Sequence, residues 1–158
     1  MAAVKAIPDG FHTVTPHLIV SDVGKALDFY AKAFGAKVQV NMPGPDGKPM
    51  HAQMQIGDSP IMLAPENLEM GSRGPLSLGG SSVTLNIYGD DADAMFKRAT
   101  DAGATGRMPP EDMFWGDRYG QVVDPFGHVW AIATHKKDLT PAEMKKAMDE
   151  FFAKMAHA

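Results

Sequence analysis

Along the first half of the chain the apolar positions alternate between two rhythms. From Val14 to Val20, Leu18 and Val20 point one way while Thr15, His17 and Ile19 point the other, which predicts a half-buried strand. Val23, Leu27, Tyr30 and Phe34 then recur at helical spacing behind Asp22, a capping residue type, and Gly35 stands where that helix should stop. Lys37 to Met42 reads as a second strand, followed by a turn-rich run over 43–49. Met50, Ala52, Met54 and Ile56 alternate with His51, Gln53 and Gln55 in a third strand. Pro60 to Ala64 returns as a fourth after the turn Gly57-Asp58-Ser59.

The same order then starts again. Residues 65–80 hold Pro, Gly and Ser with few strong apolar positions, and read as a linker or mobile flap. Beyond them Val83, Leu85 and Ile87 alternate with Thr84, Asn86 and Tyr88. Asp91 opens a helix striped by Ala92, Met95, Phe96 and Ala99, and Gly103 stops it. A short strand over Thr105 to Met108, a loop over 109–117 and a strand from Arg118 to Val123 follow. Asp124-Pro125-Phe126-Gly127 suits a type I turn, and His128 to His135 is the last strand. A long pattern present twice is a duplicated module rather than a solenoid, which needs three or more repeats. Two such modules side by side can roll their sheets around a shared cleft. The tail is different: Thr140-Pro141-Ala142-Glu143 is a capping box, and Met144, Met148, Phe151, Phe152 and Met155 give the helix behind it an apolar face. That face requires burial on the domain or on a partner subunit.

Composition removes several functions. A net charge of −4 without a basic block argues against nucleic-acid binding. With no cysteine there is neither disulfide nor thiolate-bound metal. No apolar run approaches the ~20 residues of a membrane helix. Met1-Ala2-Ala3-Val4-Lys5 lacks a signal-peptide core, so a cytoplasmic address is expected. No glycine-rich phosphate loop follows a strand, and no serine sits in a nucleophile elbow. What remains is a set of polar strand faces carrying His17, His51, Gln53, Asn86, Tyr119 and Gln121, beside an aromatic loop with Phe114 and Trp115. Glu111, Asp112, Asp117 and Arg118 form a charged cluster suited to a cationic or mixed-charge ligand. Apolar walls with a few placed polar groups describe a small-molecule pocket.

The run Thr15-Pro16-His17-Leu18-Ile19-Val20-Ser21-Asp22, the helix Ala26-Leu27-Asp28-Phe29-Tyr30, Phe34-Gly35-Ala36 and the turn Asp124-Pro125-Phe126-Gly127-His128-Val129-Trp130 together resemble the vicinal oxygen chelate superfamily of glyoxalases, dioxygenases and bleomycin-resistance proteins. Met50-His51-Ala52, the stretch 110–120 and Ala133-Thr134-His135 are similar to its PhnB-like branch. The resemblance implies an α+β fold of paired βαβββ modules, about 11–64 and 81–135, forming a curved mixed sheet around a cleft. These modules and the linker make one domain, 1–138, with the amphipathic helix 139–158 behind it and a homodimer as the usual assembly. The superfamily's enzymes hold a divalent metal at set strand positions, and those positions fall here on Thr15, Thr84 and Ala131. Threonine is a poor ligand at neutral pH and alanine is none. The expectation is therefore a small-molecule-binding protein without metal or other cofactor, acting by sequestration or carriage. Its expected ligand contacts are His17, His51, Gln53, Asn86, Phe114, Trp115, Arg118, Tyr119 and Gln121. The rival is a lyase, isomerase or dioxygenase with a displaced metal on His17 and His51.

Overall fold

A computed structural model of the chain describes residues 4–156; Met1, Ala2 and Ala3, read above for a signal core, lie outside the described residues. The fold is α+β. In chain order the elements are β1 (His17–Val20), α1 (Val23–Phe34), β2 (Lys37–Pro43), β3 (Pro49–Ile56), β4 (Ser59–Pro65), α2 (Pro75–Leu78), β5 (Thr84–Tyr88), α3 (Ala92–Asp101), β6 (Thr105–Asp112), β7 (Asp117–Val123), β8 (Val129–His135) and α4 (Pro141–Ala156). Two four-stranded mixed sheets result, ordered β1-β4-β3-β2 and β5-β8-β7-β6, each with one parallel pair, β1 with β4 and β5 with β8. The chain divides into two compact units, Met1–Ser82 and Val83–Ala158, each holding one copy of the repeated pattern.

In the first unit the alternation read from sequence sorts the side chains as physics requires. Leu18, Val20, Ala52, Met54, Ile56, Ile61 and Leu63 are buried, along with Leu27, Tyr30 and Phe34 of α1. The Asp22 carboxylate accepts from the Lys25 amide at 2.9 Å, replacing a missing helical partner. Gly35, at φ +68°, ends α1 in the left-handed conformation that glycine adopts without steric penalty. The second unit repeats the scheme. Asp91 caps α3 through the Ala94 amide, and Trp130, Ile132 and Val122 are buried in its core.

The turn before β8 is built on one carboxylate. Asp124 is 4 % exposed and accepts from the amides of Phe126 and His128, both at 2.9 Å, and from Trp130 Nε1 at 2.8 Å. The Asp124-Pro125-Phe126-Gly127 pattern thus serves the core, not a ligand.

Four expectations change. Residues 65–80 are no bare flap. Asn67 and Ser72 exchange backbone hydrogen bonds, Glu66 Oε1 accepts from the Gly74 amide at 2.7 Å, and α2 follows. Strand β6 runs on through Pro109 and Pro110 to Asp112, leaving a loop of only 113–116. Proline is tolerated there because β6 is an edge strand with shifted register around Met108. Strand β1 starts at His17, so Thr15 lies before it with its hydroxyl donating to the His12 carbonyl. The capping box of α4 forms, with Thr140 and Glu143 bonded reciprocally, but no α4 residue is buried. Phe151 meets Phe114 with ring centroids 5.2 Å apart, while Phe152 and Met155 stay more than half exposed.

Candidate functional site

In the second unit the strand register lays polar residues out in rows. Asn86, Ala131 and Gln121 are neighbours across β5, β8 and β7. Tyr88, Ala133 and Tyr119 form the next row, and Asp117 pairs with His135 beyond it. To the first two rows the central strand contributes only alanine, so the flanking side chains there stand over a low floor. Gln121 donates from Nε2 to the Tyr119 hydroxyl at 2.7 Å. Trp115 stands edge-on to Tyr119 at 5.5 Å and to Phe114 at 5.1 Å, both favoured aromatic arrangements. Six of the expected contacts lie in this unit, and five of them, Asn86, Phe114, Trp115, Tyr119 and Gln121, belong to these rows and the adjoining loop.

Arg118 is the sixth and does not join them. It alternates with Tyr119 and so projects from the opposite face, where its guanidinium is paired with Asp93 of α3 and with Asp112. These two carboxylates raise its already high pKa further. Arg118, Asp93 and Asp112 therefore form a partly exposed brace linking α3, β6 and β7.

The loop that carries Trp115 is pinned. The Gly116 carbonyl accepts from the amides of both Lys136 and Lys137, at 2.9 and 3.0 Å. Gly116 itself sits at φ +100°, and a Cβ there would lie 2.4 Å from the Lys137 carbonyl oxygen. No side chain fits without backbone movement. Gly116→Ala should therefore destabilise the second unit by about 2–3 kcal/mol and change the Trp115 environment, which chemical denaturation and near-UV circular dichroism will show. A cavity of about 340 Å³ lies against this loop, lined by Asp112, Met113, Gly116, Asp117, Lys136 and Lys137. Another of about 570 Å³ in the first unit runs along Ser21, Asp22, Asp46, Lys48 and Glu66. None of the nine expected contacts lines either of these two cavities.

Sequence reasoning missed the group that organises the loop. Asp117 is 6 % exposed. Its Oδ2 accepts from the Tyr88 hydroxyl at 3.1 Å and from Trp115 Nε1 at 3.2 Å. Its Oδ1 faces His135 Nδ1 at 2.8 Å, and His135 Nε2 faces Asp138 Oδ1 at 3.0 Å. Both imidazole nitrogens thus face carboxylates, which accept only, an arrangement that favours the doubly protonated, cationic ring. Hydrogen bonding to Asp117 first, then to Asp138, raises the His135 pKa accordingly. From sequence Asp117 is one member of a charged loop, because two of its three partners, Tyr88 and His135, lie far from it in the chain.

His17, His51 and Gln53 belong to the first unit. There His17, Met62 and Gln53 are register neighbours across β1, β4 and β3, the counterpart of Asn86, Ala131 and Gln121. The His17 and His51 rings meet edge-on at 5.6 Å, and Gln53 Nε2 lies 3.3 Å from His51 Nε2. Burial, then the neighbouring His51, lowers the His17 pKa. The folded unit therefore resists protonation more than the unfolded chain does. Its stability is fully present above about pH 6.5 and declines as pH falls below that value. His17→Gln should flatten that decline in urea melts recorded across the range.

The superfamily's metal positions can now be tested on geometry. Thr15 precedes β1 and spends its hydroxyl on a backbone carbonyl; Thr84 opens β5; Ala131, 1 % exposed, has no donor atom. This set does not fit a divalent ion. Among the described residues no group of three or more His, Asp or Glu is arranged to hold a metal.

The duplicated βαβββ arrangement and its polar sheet faces define a class, and the comparisons agree. The sequence model of the Glyoxalase/Bleomycin resistance protein/Dioxygenase superfamily matches residues 10–132, and the chain belongs to that superfamily. An uncharacterized protein of Mycobacterium tuberculosis is 44 % identical over 138 residues, covering 85 % of this chain and 81 % of the relative. An uncharacterized protein of Arabidopsis thaliana is 32 % identical over 124 residues, 75 % of each chain. Among solved structures, TioX from Micromonospora sp. ML1 is similar with a TM-score of 0.62 at 27 % identity, covering 78 % of this chain and 98 % of its own. An Arabidopsis thaliana gene product gives 0.64 at 28 %, with the same coverage. No helix among the described residues is long and apolar enough to cross a membrane.

Proposed function

We propose that this chain binds a planar or partly aromatic small molecule without the superfamily's metal, and acts by sequestering or carrying it. One observation carries the reading. An aromatic wall, Trp115 with Phe114 and Tyr119, adjoins a polar row in which a methyl group, that of Ala131, occupies the expected metal-ligand position. Trp115 and Phe114 supply ring faces; Asn86, Tyr119 and Gln121 supply donors and acceptors. On its own sheet face the first unit offers His17, His51 and Gln53 for the same purpose. The experiment is a ligand-observed NMR screen of planar aromatic metabolites and antibiotics against the full chain. Hits displaced by Trp115→Ala support the reading, and silence across a broad panel removes it.

The second reading is a metal-dependent lyase, isomerase or dioxygenase. Its support is the pair of close imidazoles, His17 and His51, with His17 held toward the neutral, metal-competent form. Elemental analysis of protein purified without chelator decides between them: a stoichiometric divalent ion lost on His51→Ala favours the enzyme. The PhnB-like assignment and the homodimer belong to the proposal as well. The exposed Phe152 and Met155 of α4 support a partner contact. Sedimentation equilibrium on the full chain and on a variant ending at residue 138 will show whether a dimer exists and whether α4 makes it.

A further inference from the structure

We propose that Asp117 is the positioning residue of this surface: its buried carboxylate fixes the ring planes of Trp115 and Tyr88 and ties both to the imidazole of His135. Its importance for binding rests on the small-molecule reading; the positioning itself does not.

The argument is geometric. Tyr88 ends β5, Trp115 stands in the loop before β7, and His135 ends β8. Three donors from three separate elements converge on one carboxylate that solvent hardly reaches. An indole held only by stacking can slide or flip. One whose N–H is bonded to a buried anion has its plane set, and Tyr119 then packs against that plane at 79°. Asp117 needs no ligand contact to do this, since both of its oxygens are occupied within the unit.

The charge balance follows from the same contacts. Asp117 and Asp138 flank His135 on its two nitrogens, and among the described residues no other charged side chain is hydrogen-bonded to that ring. Tyr88 is the remaining titratable group on the carboxylate, and burial, then Asp117, raises its pKa and keeps it a donor. When His135 loses a proton, the proton leaves Nε2, because Asp138 is fully exposed and water replaces the ring as its partner. Nδ1–H stays on Asp117, but the positive charge beside the carboxylate is gone. The Trp115 Nε1–H bond then faces an uncompensated anion, while Trp130 is bonded to a different carboxylate, Asp124.

The test uses two-dimensional NMR of the full chain labelled with ¹⁵N-tryptophan, which gives two indole signals, Trp115 and Trp130. The Trp115 signal should titrate with a midpoint above that of an ordinary histidine, and any pH response of Trp130, bonded to Asp124, should be the same in His135→Gln. His135→Gln, a surface change, should abolish the titration. Asp117→Asn should move the Trp115 signal upfield and raise its quenching by acrylamide at least twofold. Tyr88→Phe, which removes one donor and keeps the charge, should preserve the titration. A Trp115 signal that does not move with pH, or that moves equally in His135→Gln, overturns the proposal even if Asp117→Asn fails to fold. Loss of the small-molecule reading is recognised separately, by an empty ligand screen with this titration intact.

Discussion

Asp124→Ala is expected to cost the second unit about 3 kcal/mol of stability, the largest effect of any single polar substitution here. One buried carboxylate satisfies two backbone amides and the Trp130 indole, and alanine leaves all three without an acceptor in the core. Each stranded donor costs about 1–3 kcal/mol, and neighbouring losses do not add in full. Guanidinium melts followed by tryptophan fluorescence will report the change. A loss below about 0.5 kcal/mol would mean that water replaces the carboxylate and that the turn is not built on it. Asp124→Asn should be milder, because an amide oxygen can still accept.

Trp115→Ala carries the second large effect, on binding rather than folding. The ring is only partly buried and touches Phe114 and Tyr119, so its removal opens the wall without emptying the core. Affinity for a planar aromatic ligand found by screening should fall by roughly thirtyfold, about 2 kcal/mol, the size typical of losing one aromatic anchor. Trp115→Phe should retain most of it. Isothermal titration of the three proteins with the same compound separates this outcome from a general loss of structure. Equal affinity in wild type and Trp115→Ala would place the ligand elsewhere.

The fold was legible because its signals are local. Asp22 and Asp91 cap, Gly35 terminates, and strict alternation over β3 and β5 fixes which side chains face inward. The duplicated order then links these pieces. Errors arose where a local rule met a tertiary exception. Pro109 and Pro110 read as a loop, yet an edge strand admits them. Residues 65–80 read as a flap because their order comes from Glu66 reaching the Gly74 amide, a contact that periodicity does not encode.

The site was half legible for the same reason. Phe114, Trp115, Tyr119 and Gln121 are close in sequence, so their common surface could be inferred from alternation. The same alternation sets Arg118 on the opposite face from Tyr119, but that Asp93 stands across from it there is a tertiary fact. Asp117 was visible only as a charge. Its role depends on Tyr88 and His135, and neither lies near it in the chain.

The most direct test is a titration of chelator-treated protein with an aromatic hit, followed by Trp115 fluorescence in the Trp130→Phe background. Saturable quenching that persists in excess chelator, and is unchanged when zinc, manganese or iron is restored, is the predicted result. Binding that appears only once one of these ions is returned would contradict the proposal of metal-free binding.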